Sequence, residues 1–334
     1  MNNIEKKILN IAEDLKPYIV DKRRDFHMFP ELKYEEKRTS GIIQKELASL
    51  GYEVKKIADT GIIGTLKGKG SKTIALRADM DALPIKEATG KSYTSKIEGK
   101  MHACGHDGHI AMLLGTAKIL SSLKENLNGT VKLVFQPAEE GGWGAEKVVN
   151  SGFLDDVDAV FGIHLWADLS SGVIGIKQGT LMASIDSFRI NIKGKGGHAA
   201  EPEKTFDPLA VLIDIFNAYQ KIISREISTF KPVILSITSI NGGNTFNVIP
   251  KNASMMGTVR AVDLDARDFI IKRMEEITKG YAQAMRCEAK FELFAKPSMF
   301  VVNDNNLALF AKSILPIIGN IVAVSYTHLT LPTN

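Results

Sequence analysis

Nine residues concentrate the chemistry of this chain: Met101-His102-Ala103-Cys104-Gly105-His106-Asp107-Gly108-His109. They hold three of its seven histidines, one of its two cysteines and an aspartate. Thiolate and imidazole are borderline-soft donors, the set that binds Zn²⁺ and its first-row neighbours. Gly105 stands between Cys104 and His106 and permits a tight bend that turns both side chains toward one point. The competing reading is a buried polar turn around a packed cysteine. The density of ligand-type side chains favours a metal site.

A second group follows the apolar run Thr130–Phe135, where Glu139 and Glu140 stand side by side. Neighbouring carboxylates on an extended segment diverge, so one can bind a cation while the other faces water. A divalent cation acidifies water, and a nearby carboxylate can take the proton as the oxygen attacks a carbonyl. An isolated Glu-Glu pair is usually a solvated acidic turn. Its place after a buried strand, beside a metal cluster, reverses that preference.

His164 ends the run Ala159–Ile163; alone, such a histidine is as readily a satisfied core residue as a ligand. Asp79 and Asp81 follow Thr73–Arg77 and could orient ligand histidines, bind metal, or simply make a turn before Pro84. Further on, Gly194-Lys195-Gly196-Gly197-His198 ends in an imidazole and lacks the helix start and Gly-Lys-Ser/Thr of a phosphate loop. Arg260, at the end of Gly257–Arg260, could clamp a carboxylate bidentately; a plain surface arginine is the alternative. Asn247 opens Asn247-Val248-Ile249-Pro250 nearby.

The elements that must position these groups fall in two blocks. Residues 3–28 have helical spacing, which Pro17 should kink or split. A helix over 36–50 leads through Gly51 to strands at 53–57 and 61–66. Three apolar strands, 73–77, 130–135 and 159–163, each end in an acid or a histidine, with a helix over about 108–123 between the first two. This predicts an open, mostly parallel α/β sheet with its site beyond the carboxyl ends of the strands. From Ser184 the order is strand, helix (207–224), strand (233–240), strand (253–262), helix (264–284) and strand (287–294), a ferredoxin-like β-α-β-β-α-β unit. The expected division is a catalytic domain at 1–183, an inserted module at 184–294 and an incomplete catalytic return at 295–324. Residues 325–334 read as a non-native tail resembling translated adapter sequence.

The length of 334 residues suits two domains. The 42 basic and 38 acidic side chains are interspersed, and the net charge of +4 forms no basic block, so nucleic acid is not expected as a partner. Two cysteines exclude a disulfide scaffold and fit a reducing compartment. The N-terminus lacks the apolar region of a signal peptide, and no run reaches the ~18 apolar residues of a membrane span. A cytoplasmic protein acting on a small molecule is expected.

Together these residues resemble the M20 metallopeptidase family, most closely its amidohydrolase branch of N-acyl-L-amino-acid, hippurate and auxin-conjugate hydrolases. The matching stretches are Arg23–His27 with Pro30–Leu32, Arg77–Pro84, Met101–His109, Gln136–Glu140, Gly162–His164, Gly194–Pro202, Asn247–Pro250 and Gly257–Arg260. The resemblance implies two divalent metal ions (Zn, Mn, Co or Ni) held by Cys104, His106, Glu140 and His164. It makes Glu139 the general base and Asp81 a supporting aspartate. It gives His198 the role of polarising the scissile carbonyl, in dimeric members from the neighbouring subunit. Asn247 and Arg260 match residues that hold the substrate near its carboxylate, and the second module matches a lid through which a homodimer forms. The implied activity is hydrolysis of N-acyl amino acids or related conjugates. A dipeptidase or an N-acetyl-diaminopimelate deacetylase is the alternative within the class, and a non-catalytic metal-binding homologue the alternative outside it. The presence of Glu139 argues against the last, since a structural site needs no base. So does the spread of the ligand candidates, because structural zinc sites draw four ligands from a small module. The resemblance fades near Val324, before the family's last ligand histidine, and His328 does not stand in that context; a truncated chain is expected.

Overall fold

Pro17 decides how the chain begins. The computed structural model, which describes residues 2–323, ends α1 (Asn3–Asp14) at Leu15 and starts α2 (Lys16–Met28) with the proline in its first turn. There its missing N–H removes no helical bond, so the expected long helix is split and not merely kinked. Asn2 caps α1 reciprocally: its side chain accepts the Glu5 amide (2.9 Å), and the Glu5 carboxylate accepts the Asn2 amide (2.7 Å). The expected tail at 325–334 lies outside the described residues.

The chain divides into two compact units, Met1–Asp168 and Leu169–Asn334. The first continues with α3 (Lys37–Ser49), β1 (Glu53–Ile57), β2 (Gly61–Lys67), β3 (Thr73–Asp79), α4 (His106–Ser122), β4 (Thr130–Gln136), α5 (Gly144–Asn150) and β5 (Ala159–Gly162). Its five-stranded sheet has the order β1-β2-β4-β3-β5. β4 and β5 run parallel to β3, whereas β2 is antiparallel to β4 and β1 to β2. The sheet is therefore mixed: β2 runs against the other four strands, which share one direction. The cause is local: a tight turn with Ala58 and Asp59 at φ 45° and 70° folds β1 back on β2, and a hairpin can only pair antiparallel.

Alternation along β4 sends Leu133 and Phe135 into one core with Phe26, Ile43, Leu47, Ile110 and Leu114. Val134 points the other way, toward Val148 of α5. Both sheet faces are thus covered. Asp79 pairs with Gln136 across β3 and β4, and Arg77 with Gly162 across β3 and β5. The segments after all three parallel strands consequently leave from the same edge.

The second unit holds β6 (Val173–Ile176), β7 (Gly179–Met182), β8 (Asp186–Lys193), β9 (Gly197–His198), α6 (Pro208–Lys221), β10 (Val233–Gly242) and β11 (Val248–Ile249). It continues with β12 (Asn252–Ala261), α7 (Leu264–Ala284), β13 (Glu288–Leu293), β14 (Val301–Asn303), α8 (Asn305–Ile314) and β15 (Asn320–Ala323). An antiparallel sheet of order β10-β12-β8-β13 packs Phe188, Ile190, Met255 and Val259 against Leu212, Ile215 and Tyr219 of α6 and Ile270 and Met274 of α7. β14 pairs with β7, and β15 with β6. Among the described residues no helix is long and apolar enough to cross a membrane.

Candidate metal centre

The bend between Cys104 and His106 is made by Gly105 at φ +81°, where a Cβ would come within 3.3 Å of the Leu165 side chain. His106 opens α4 and is buried. Its Nδ1 lies 2.7 Å from the Asp81 carbonyl oxygen and so donates to it. That bond leaves Nε2 facing the site, the arrangement by which proteins aim a ligand histidine. Nε2 is buried without a hydrogen-bond partner among the described residues, 3.6 Å from Asp79 Oδ2 and 3.9 Å from Glu140 Oε1. An unpartnered buried polar atom is costly and needs a reason; a metal ion would provide it.

His164 follows β5 and has the same form: Nδ1 donates to the Leu165 carbonyl (2.5 Å), and Nε2 lies 3.5 Å from Cys104 Sγ. Ligand atoms of Cys104, His106 and His164 all lie within 4.8 Å of one another, as do those of His106, Glu139 and Glu140. The four expected ligands gather around His106. Burial opposes a charge on His106, but the Asp81 and Cys104 contacts and the Asp79 carboxylate outweigh it and raise the imidazole to about 11. The surroundings are thus set for positive charge. Burial raises the Cys104 thiol, and burial together with the nearby His109 lowers His164, favouring its neutral, ligating form.

Asp81 holds the acidic pair. Its Oδ1 accepts the Glu139 amide (2.8 Å) and its Oδ2 the Glu140 amide (2.9 Å). The preceding Ala138 is buried at φ +51°, a sparsely populated region for a residue with a Cβ. It is held there by Glu36, whose Oε1 accepts the Ala138 amide (2.8 Å) and whose Oε2 accepts the Thr60 hydroxyl (2.6 Å). Gly144 completes the turn, since a Cβ there would sit 1.7 Å from the Pro137 carbonyl oxygen. Glu139 still reaches solvent, yet the protein around it, and then the Glu140 and Asp79 charges, raise its carboxyl to about 6. A carboxylate poised near neutrality suits proton transfer at physiological pH.

His109 had not been singled out. Its Nδ1 donates to Asp79 Oδ1 (2.6 Å) and its Nε2 accepts the Leu165 amide (2.8 Å), bracing the residue after His164. The His109 and His164 rings lie 4.7 Å apart. Asp79 Oδ2 accepts Arg77 Nη1 (2.8 Å). Although Asp79 and His109 fall within coordinating reach of His106, these bonds make them orienting groups. The available signal was the i,i+3 spacing of His106 and His109 on one helix face. His102 is buried with both ring nitrogens unpartnered among the described residues and is pushed down to about 4 by burial.

The remaining expected site residues belong to the second unit. β9 and β11 pair His198 with Val248, and the Ala199 amide donates to the Asn247 carbonyl (3.1 Å). The Thr245 hydroxyl donates to Asn247 Oδ1 (3.0 Å). His198 Nδ1 accepts the Ala200 amide (3.1 Å), which leaves its proton on Nε2. Arg260 is half-buried on β12 and makes no ion pair among the described residues; burial lowers its pKa.

Residues 75–320 match the model of peptidase family M20/M25/M40. The chain belongs to this family. It is 43% identical over 279 residues to the N-acetylcysteine deacetylase of Bacillus subtilis, covering 83% of this chain and 73% of that protein. It is 40% identical over 290 residues to the N-acyl-L-amino acid amidohydrolase of Geobacillus stearothermophilus, covering 86% and 78%. The crystal structure of a Bacillus subtilis dinuclear metal-binding peptidase of the M20 family superposes with a TM-score of 0.81 at 36% identity, covering 94% of this chain and 83% of that one. In this M20 chain the sulfur, nitrogen and oxygen donors around the unpartnered His106 Nε2 fit a divalent transition metal.

Proposed function

We propose that this chain is a metal-dependent amidohydrolase that cleaves the amide bond of N-acyl amino acids or related conjugates to a carboxylate and a free amino acid. The observation that carries this reading is the buried, unpartnered Nε2 of His106, placed among Cys104, His164 and Glu140 with the Glu139 carboxylate alongside. Cys104, His106, Glu140 and His164 would hold two divalent ions (Zn, Mn, Co or Ni), which when bound supply Lewis acidity and lower the pKa of water. Glu139 accepts the proton of the attacking water and returns it to the leaving amine. Asp81 keeps Glu139 and Glu140 in place through their amides.

His198, with its proton on Nε2, donates to the developing oxyanion, a contribution of ~3 kcal/mol per donor. Arg260, a half-buried guanidinium with no ion pair among the described residues, pairs with the substrate carboxylate, and Asn247 orients it. Residues 184–294 act as an inserted ferredoxin-like lid and dimerisation module. The strand order β10-β12-β8-β13 supports this, as does the return of β14 and β15 to β7 and β6 on either side of the insertion. The protein works in the cytoplasm as a homodimer. The names of the two relatives favour N-acyl amino acids over dipeptides.

The test is hydrolysis of N-acetyl- and N-benzoyl-amino acids and of dipeptides by protein loaded with Zn²⁺, Mn²⁺ or Co²⁺, with and without chelator. Chelator-sensitive release of amino acid from the acyl substrates is expected. Release only from dipeptides would turn the assignment to a dipeptidase, and metal binding without any turnover would overturn it.

A further inference from the structure

The segment 85–100 contains neither helix nor strand and leads directly into the ligand loop. Its two ends are tied by Leu83 and Met101, whose amides and carbonyls exchange bonds of 3.0 Å. Inside it, the Glu87 side chain is almost completely buried. Glu87 Oε2 accepts the Ser95 amide (2.6 Å), and Oε1 takes the Thr89 hydroxyl and faces His27 Nε2 at 3.1 Å. On the other side of the same ring, His27 Nδ1 lies 2.9 Å from Oδ2 of the fully buried Asp107. Asp107 is the residue after His106.

A neutral imidazole has one N–H and can donate to one carboxylate only. The second nitrogen would then turn a lone pair toward the other carboxylate inside the protein, which is strongly unfavourable. The two carboxylates that flank the ring, Glu87 and Asp107, favour a positive charge there, and the Tyr93 ring packs on it edgewise. Arg23, 3.2 Å from the same Asp107 Oδ2, offsets part of the Asp107 charge, whereas Glu87 has no cation besides His27 among the described residues. His102, close by, is kept neutral by burial. The Asp107 bond raises the His27 pKa against the opposing effect of burial.

We infer that His27 is a positioning residue for the metal centre, a buried imidazolium that ties Glu87 of the 85–100 segment to Asp107 in the first turn of α4 and so fixes where Cys104 and His106 stand. Without it, two buried carboxylates would be left short of a partner on either side of the ligand loop, and the loop would have to move to hydrate them.

The inference rests on the metal reading of Cys104 and His106, and the experiment separates the two. Metal affinity of the full chain is measured by competition with a chromophoric chelator, using Zn²⁺ and Mn²⁺. A wild type that binds neither ion would sink the metal reading itself. If it binds, His27→Gln should lower affinity ~10- to 100-fold, as loss of a residue orienting a ligand does. At saturating metal its kcat should recover, with KM unchanged. Adding Glu87→Gln should restore part of the lost affinity, because one of the unpaired charges is then gone; a packing role would give no such rescue. Nitrogen-15 shifts of the His27 ring, assigned in the wild-type protein itself by through-bond correlation to its backbone, should show both nitrogens protonated from pH 6 to 8. A singly protonated ring over that range, or unchanged metal affinity in folded His27→Gln, would overturn the inference. Should His27→Gln not fold, the nitrogen shifts still decide it.

Discussion

Replacing Asp81 with Asn probes how much of the site depends on one carboxylate. Asp81 accepts two backbone amides, those of Glu139 and Glu140, one on each oxygen. Asparagine keeps a single acceptor oxygen and turns its NH₂ group toward the second amide, so one bond is lost and two donors oppose each other. A hydrogen bond to a charged group contributes ~1.5–3 kcal/mol. If the turn acts only in its present orientation, that converts, at ~1.4 kcal/mol per decade, to a fall in kcat/KM of about 10- to 150-fold. The bond from His106 goes to the backbone carbonyl of Asp81, which the substitution spares. Metal affinity should therefore weaken less, about tenfold, through Glu140 alone. The assays are steady-state hydrolysis of an N-acetyl-amino acid at saturating metal and chelator competition on the same preparation. Kinetics indistinguishable from wild type would refute the claim that Asp81 holds the acidic pair. A loss of metal affinity larger than the loss of turnover would show that it acts on the ligands instead.

Glu139→Gln, with metal still bound, should lower kcat by at least ~10²-fold, and near-normal turnover would remove Glu139 from the proton-transfer role. In the metal-free protein its carboxyl is raised from 4.5 to about 6, so the folded state binds more protons than the unfolded one across that window and stability falls as pH rises through it. Metal-free Glu139→Gln should accordingly melt above metal-free wild type beyond pH 6, with the gap closing below about pH 4.5; a pH-independent gap in thermal melts would contradict this. His109→Phe removes the brace on Leu165 and should reduce metal affinity ~10- to 100-fold while leaving the ligands themselves intact, which chelator competition reports. Arg260→Leu should raise KM for acyl amino acids with little change in kcat and should not affect amidated substrates, a difference read directly from paired kinetics.

What could be read from residues alone was local. The cluster at 101–109, the acidic pair after an apolar run and the histidine ending another each lie within a short stretch, and burial of the strands brings the three stretches to one sheet edge. The contributions of Glu36, Glu87 and His27 were not legible, because each depends on a partner more than 50 positions away. Glu36 reaches Ala138, and His27 reaches Glu87 and Asp107. Nothing in a short window marks such residues as different from surface acids or a helix-end histidine. Asp79 was ambiguous for a related reason: only the observed bonds to His109 and Arg77 distinguish an orienting carboxylate from a ligand. The direction of β1 and β2 was also hidden, since a short polar turn between two strands can be recognised while the pairing of β2 with β4 cannot.

The measurement that bears most directly on the account is anomalous diffraction from crystals of the full chain soaked with Zn²⁺ or Co²⁺. The account predicts peaks within ~2.0–2.3 Å of Cys104 Sγ, His106 Nε2, His164 Nε2 and a Glu140 carboxylate oxygen. Those four side chains in their present places with no bound ion at saturating metal, or peaks only at other residues, would contradict it.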